Sequence, residues 1–310
     1  MNGTTPRIEI IKPFSDAIEL TKVILFRPFN LSKWCVIGFA AFLSNLGGGG
    51  GFNFNNFGNW RGSSSSPPFS WHDSMTWLLP IVIVVALLGI TVVLALMWVG
   101  CRGKFIFTDC VVRNRAAIAE PWREYAREGN SLFVFTLIAI AIVMAAAILI
   151  AVPIGVLWFS TASDGFSWPG LIAIIVFAPL FLILLVAFGF VRELMGPVMY
   201  RQRGTAMSTF RQVLSLVRAH PGEMLLYFLF LIVVAMGTAV GVVFLMCATC
   251  CIVLIPYVGT VILLPLFVLR RGYLLLFLRQ FGPDYDAWGG LAPSAPPVQA
   301  SPMPPPAPAV

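Results

Sequence analysis

Long apolar runs alternate with short basic clusters along this chain, and four of the runs predict membrane spans: Trp77 to Val99, Leu132 to Trp158, Leu171 to Val191 and Met224 to Cys247. Each matches the roughly 20 residues that a helix needs to cross a hydrocarbon core. Two shorter runs complete the pattern. Trp34 to Leu46 reaches bilayer thickness only if the helix is extended back to Leu31 with Lys33 snorkelling. The last run follows a turn near Pro256-Tyr257-Val258-Gly259, contains Pro265 and continues through Arg270-Arg271 to Phe281. Amphipathic stretches lie between the spans. Phe14, Ala17, Ile18, Thr21 and Leu25 fall at three-and-four spacing, with Asp16, Glu19 and Lys22 opposite, which predicts a surface helix over Pro13 to Phe26 that ends at Arg27-Pro28. Ile118, Trp122 and Tyr125 predict a second over 116–127, and Met207, Phe210, Val213, Leu214 and Val217 a third.

Three of the apolar runs end in the same way. Arg102 is followed by a mostly apolar stretch and then Arg113; Arg192 leads similarly to Arg201, and Arg270-Arg271 to Arg279. Arg113-x-Arg115 stands nine positions before Trp122 and Arg201-x-Arg203 nine before Phe210, each counted from the first Arg to the aromatic ring. The order span, inner cation, outer cation, surface helix therefore repeats. The fold class expected is all-α: a polytopic helical membrane protein with six transmembrane helices in three tandem units, about 13–112, 113–203 and 204–282, each a surface amphipathic helix plus two spans. Such repeats commonly bind at the interface between units. Pro179 and Pro265 are candidate helix breaks. Gly237-x-x-x-Gly241 and the small residues Ala141, Ala145, Ala146 and Ala147 are candidate points of close helix approach.

Composition supports a membrane protein, since 59% of residues are hydrophobic and 11% charged, against about a quarter charged in soluble domains. The net charge of +7 sits in clusters beside apolar runs, where it orients spans rather than binding nucleic acid. Of the 20 Lys and Arg, all but Arg61 fall on one side of the six-span scheme, which expects both termini in the cytoplasm. The first apolar run follows a long charged leader and ends in Asn45-Leu46-Gly47, so it reads as an uncleaved span. Residues 1–12 form an N-terminal tail, 47–74 a Gly/Asn/Ser-rich exoplasmic loop and 283–310 a disordered Pro/Ala-rich tail.

The chemistry is sparse. With only His72 and His220, no Gly-x-Ser-x-Gly elbow and no phosphate loop, no catalytic centre can be assembled, and no cofactor is expected. Cys247-x-x-Cys250-Cys251 has zinc-like spacing but no second cluster, so packing is the better reading and no metal is expected. What remains is Arg102, Arg192 and Arg271, inner cations that could converge on an anion or lipid headgroup, with Asp109 and Glu193 as counter-charges. Ordinary snorkelling with local ion pairs is the plainer account of the same residues. The partners expected are membrane lipids, anionic ones in particular, together with a second copy of the chain or another membrane protein. Two functional readings follow: a non-enzymatic protein that binds or organises anionic lipid or supports an envelope partner, and a small transporter or permease. The apolar midplane positions Ala86, Ala145, Phe181, Ala235 and Leu264 weigh toward the first.

Leu25-Phe26-Arg27-Pro28-Phe29-Asn30-Leu31-Ser32-Lys33-Trp34, Asn114-Arg115-Ala116-Ala117 to Glu120-Pro121-Trp122, Ala219-His220-Pro221-Gly222 and Gln280-Phe281-Gly282-Pro283-Asp284-Tyr285 resemble an uncharacterised bacterial multi-pass membrane family. That family is distantly similar to the membrane domain accompanying some glycerophosphoryl diester phosphodiesterases. The resemblance implies the bacterial inner membrane. It carries no activity, because the catalytic barrel of those enzymes and its metal ligands have no counterpart here.

Overall fold

The computed structural model describes residues 9–27, 29–46, 71–161, 167–248 and 256–289, with side chains undescribed at 71–79, 246, 248 and 256. All regular elements among these are helical: α1 (Ile11–Phe26), α2 (Leu31–Leu46), α3 (Trp71–Val112), α4 (Ala119–Glu124), α5 (Ala126–Thr161), α6 (Trp168–Gln202), α7 (Ala206–Ala219), α8 (Pro221–Ala248), α9 (Pro256–Ile262) and α10 (Leu264–Arg279), then a 3-10 turn at Pro283–Tyr285. Four helices are long and apolar enough to cross a membrane: Pro80–Val112, Ala126–Thr161, Trp168–Gln202 and Pro221–Leu245. The chain is thus built as a membrane protein. α2 is apolar but only 16 residues long, about 24 Å at 1.5 Å per residue.

The long helices divide into two layers. Ile81 to Leu94 on α3, Val134 to Phe159 on α5, Ile172 to Val186 on α6 and Leu225 to Phe244 on α8 carry large apolar side chains exposed around much of the helix. Helices apolar on all sides face lipid or the inside of a large protein. At the other end the same helices enter a packed collar, whose core includes Phe105, Ile106, Cys110, Leu194, Met195, Met199, Tyr227, Tyr273 and Phe277. The apolar stretches between inner and outer Arg are therefore protein core, and this explains why α3 continues through Arg102 without a break. The 33 residues of Pro80–Val112 span about 50 Å, and a hydrocarbon core of about 30 Å leaves the remainder for the collar.

α2 lies antiparallel against the collar end of α3. Lys33 Nζ donates to Asn114 Oδ1 at 2.7 Å, while Gly103 faces Leu43 so closely that a Cβ would sit 2.5 Å from the Leu43 carbonyl carbon. α3 packs on α4 and α6 on α7, in each case the shorter helix that follows in the chain, and α10 packs back on α1.

Several boundaries differ from the sequence expectation. The helix expected over 116–127 is the short α4, cut off because Tyr125 leaves helical geometry (φ −101°, ψ 21°) to stack its buried ring between Phe105 and Tyr200. α7 buries Ala206, Thr209, Val213 and Leu216 and leaves Met207 exposed, so its inward face is turned from the one predicted. Small side chains let α7 approach α6 closely, and the bulkier Met207 is left outside. α6 runs on through Pro179, whereas the last apolar run is broken at Leu263, with Pro265 in the first turn of α10. Residues 283–289, read as tail, pack on the collar: Gln202 Nε2 donates to the Asp284 carbonyl at 3.2 Å, and Ala287 is buried. Of the loop expected over 47–74, residues 71–74 belong to α3, and 47–70 lie outside the described residues, as do 1–8 and 290–310 of the expected tails.

Candidate functional site

Charges buried in the collar form two clusters, and helix geometry decides which residue joins which. Glu193 and Tyr200 are seven positions apart on α6, close to two turns, so they share a face. Near one end of that face the Glu193 carboxylate lies 3.6 Å from Lys104 Nζ of α3 and 3.7 Å from Arg271 Nη1 of α10. Arg271 Nη2 also donates to the Lys104 carbonyl at 3.2 Å, tying α10 to α3. Lys104 and Arg271 are each only 6% exposed, so both charges depend on protein partners rather than water.

Two turns along, Tyr200 Oη donates to Asp109 Oδ1 at 3.0 Å. Asp109 is fully buried and takes Arg115 Nε on its other oxygen at 3.0 Å, with Arg113 Nε 3.1 Å from Oδ1. Arg115 continues to Glu120 at 2.8 Å and Arg113 to Glu124 at 3.3 Å. Glu124 also accepts from Arg203, whose guanidinium sits 3.8 Å over the Tyr125 ring. Burial by itself would lower the Arg113 pKa, but the adjacent Asp109 charge overrides it and raises that pKa. For Glu124, burial pushes the carboxyl up, and the Arg203 hydrogen bond with the Arg113 charge outweighs this, leaving it below the usual range. The cluster locks the end of α3, the α4 corner and the end of α6 together.

The residues singled out from the sequence therefore separate. Glu193 and Arg271 meet, and Arg192 lies within electrostatic range of Lys104 and Glu193. Arg102 does not join them. Its guanidinium stacks 4.4 Å over Trp98 and 5.2 Å over Trp122 and donates to Asn130 Oδ1 at 3.2 and 3.0 Å. Asp109 is the partner of the outer cations Arg113 and Arg115, not of the inner three, because it lies further along α3 toward its collar end. The inner cation that α3 sends to the centre is Lys104, two residues and about 200° round the helix from Arg102. A spacing signal marked it: Lys104, Arg192 and Arg270 each stand nine positions before their outer Arg.

Around Lys104, Glu193 and Arg271 lies a cavity of about 50 Å³, bounded also by Asn45 of α2, Arg270 of α10 and Tyr227 of α8. Asn45 Nδ2 and Arg271 Nε are buried there without a hydrogen-bond partner among the described residues. A second, apolar groove of about 520 Å³ runs between α8 and the α9–α10 break, bordered by Gly237, Gly241, Leu266 and Leu269. Gly237 and Gly241 thus border an open groove, and a Cβ on either would meet nothing within 4 Å. Among the described residues no three His, Cys, Asp or Glu side chains are grouped to hold a metal; Cys247 is exposed, and Cys250 and Cys251 lie outside those residues.

No curated protein and no solved structure matches the chain. Residues 8–286 match a family of unknown function, DUF7544. An uncharacterised family is what the sequence resemblance pointed to, while no match carries the likeness to the phosphodiesterase membrane domain.

Proposed function

We propose, for a chain that belongs to the DUF7544 family of unknown function, a non-enzymatic role in binding or organising anionic lipid in the bacterial inner membrane. The observation that carries this reading is the cationic collar directly beyond the exposed apolar band, with Lys104, Arg270 and Arg271 around a partly open cavity. That is the depth at which phosphate headgroups meet a multi-pass protein, and each Lys or Arg near such a surface contributes about 1 kcal/mol of attraction. In this reading α2 and the broken α9–α10 pair complete six spans in three units. The contacts of α3 with α4, α6 with α7 and α10 with α1 support that arrangement. The positive-inside rule puts the collar and both termini in the cytoplasm. Native mass spectrometry of the purified chain tests it. Anionic phospholipid should be retained in preference to zwitterionic lipid, and a retained pool that mirrors the bulk membrane overturns the proposal.

The break at Leu263 favours a second reading, a small transporter or permease, because discontinuous helices line the sites of many transporters. The buried charges weigh against it. They sit in the collar, whereas the exposed band from Ile81 to Leu94 and from Ile172 to Val186 is apolar.

A further inference from the structure

We infer that the cavity bounded by Asn45, Lys104, Glu193, Arg270 and Arg271 holds a phosphomonoester dianion. The inference rests on the lipid-binding reading and narrows it to one site and one class of headgroup. Size is the first argument. A cavity needs roughly 10–15 Å³ to admit one water, so about 50 Å³ has room for the few heavy atoms of a tetrahedral phosphate and little more. Leu231 and Leu274 on the wall supply an apolar side along which an attached chain can leave.

Hydrogen bonding is the second argument. Lys104 and Arg271 stand 3.6 and 3.7 Å from Glu193, too far for the 2.7–2.9 Å of a charge-assisted hydrogen bond. Arg271 Nε and Asn45 Nδ2 are donors with nothing to accept from them among the described residues. Buried donors left in this state are costly, because they have lost water without gaining an acceptor. A phosphate brings acceptor oxygens in a geometry that suits the planar fork of arginine.

Charge is the third. Three cations line the cavity against the one carboxylate of Glu193, an excess of two. A phosphomonoester carries about −1.5 to −2 at neutral pH and neutralises that excess. A phosphodiester, with its single charge, leaves about half of it uncompensated. The site therefore selects a terminal phosphate, as in phosphatidic acid or a soluble phosphomonoester, over phosphatidylglycerol.

The experiment uses the full chain in nanodiscs. Thermal unfolding is followed against inorganic phosphate at constant ionic strength, and lipid retention is compared for phosphatidic acid and phosphatidylglycerol. The wild-type chain is expected to retain phosphatidic acid at least tenfold over phosphatidylglycerol and to gain thermal stability with phosphate. Asn45→Asp, which puts a negative charge at the cavity wall, should weaken both responses tenfold or more. Should that variant fail to fold, Arg270→Gln is expected to weaken them in the same direction. Stabilisation by phosphate without retention of phosphatidic acid supports the site with a soluble occupant and removes lipid as the occupant of this site. Equal retention of both lipids, unaffected by either variant, leaves the lipid reading standing and overturns this site. A wild-type chain that responds to neither phosphate nor phosphatidic acid overturns it outright.

Discussion

Asp109 is a fully buried carboxylate surrounded by a phenol and two guanidiniums. Asp109→Ala takes the shared carboxylate from Arg113 and Arg115, which keep Glu124 and Glu120, and leaves the buried Tyr200 hydroxyl without its acceptor, so it should cost about 1–3 kcal/mol, read as a lowered thermal midpoint in detergent. Tyr200→Phe removes one hydrogen bond to a charged group and should cost about 1.5–3 kcal/mol. Glu124 supplies a pH dependence. Its folded pKa is depressed, so its ion pairs stabilise the fold fully above the unfolded value near pH 4.3, and that contribution is lost as pH falls through the folded value. Unfolding followed down the acid limb should show a loss of stability that Glu124→Gln lacks. Sequence patterns mark the inner cations and on α3 favour Arg102, whereas it is Lys104 that lies beside Glu193. Both are cationic and near the end of the same apolar run, and only the rotational position on α3 separates a residue facing the cavity from one stacked on Trp98 and Trp122.

Among the described glycines, Gly103 has the least room for a side chain, where α2 packs against α3. An alanine there would place its Cβ 2.5 Å from Leu43 C and 2.7 Å from Ser44 N, both backbone atoms that cannot swing aside. Gly103→Ala should therefore destabilise by about 1–3 kcal/mol or more. Gly241→Ala meets open space and, as a helix-interior glycine, should be neutral or gain up to about 1 kcal/mol. Parallel melts of the two variants check both statements. The glycine motif on α8 was legible as a pattern, but spacing does not reveal whether a neighbouring helix comes near. Hydropathy has a similar limit. The long runs were visible as helices, but apolar residues facing lipid and apolar residues facing protein look alike in a sequence, so the collar core from Phe105 to Val112 was hidden inside a predicted span end. α4 was foreseen too long, since nothing local in its sequence announces that Tyr125 leaves the helix to join an aromatic stack.

At the level of the whole molecule, α1 matters more than a surface helix would. It buries Ala17, Thr21, Ile24 and Leu25 and covers α10, with Phe14 wedged edge-on against Phe230 and Tyr273 at 5.2 and 5.6 Å. Removing residues 1–27 should bare the apolar side of α10 and convert a monodisperse peak on size-exclusion chromatography into aggregate. Single cysteines at 115 and 203 in a chain free of other cysteines test the topology. Both should react with an impermeant reagent from the same face of the membrane, and labelling from opposite faces would refute the three-unit scheme.

The pairing of α1 with α10 ends in a reciprocal clasp: Glu9 N donates to Gln280 Oε1 and Gln280 Nε2 to the Glu9 carbonyl, each at 2.8 Å. Glu9 and Gln280 are thus already neighbours, so a peptide linker that leaves residues 283–289 packed on the collar could join the two ends of the chain. Such a gene could then be reopened at Gly204, on the collar side, starting with α7 and finishing with α6. A permutant that inserts and binds as the parent does would mean that the order in which the helices leave the ribosome is incidental to the assembled fold.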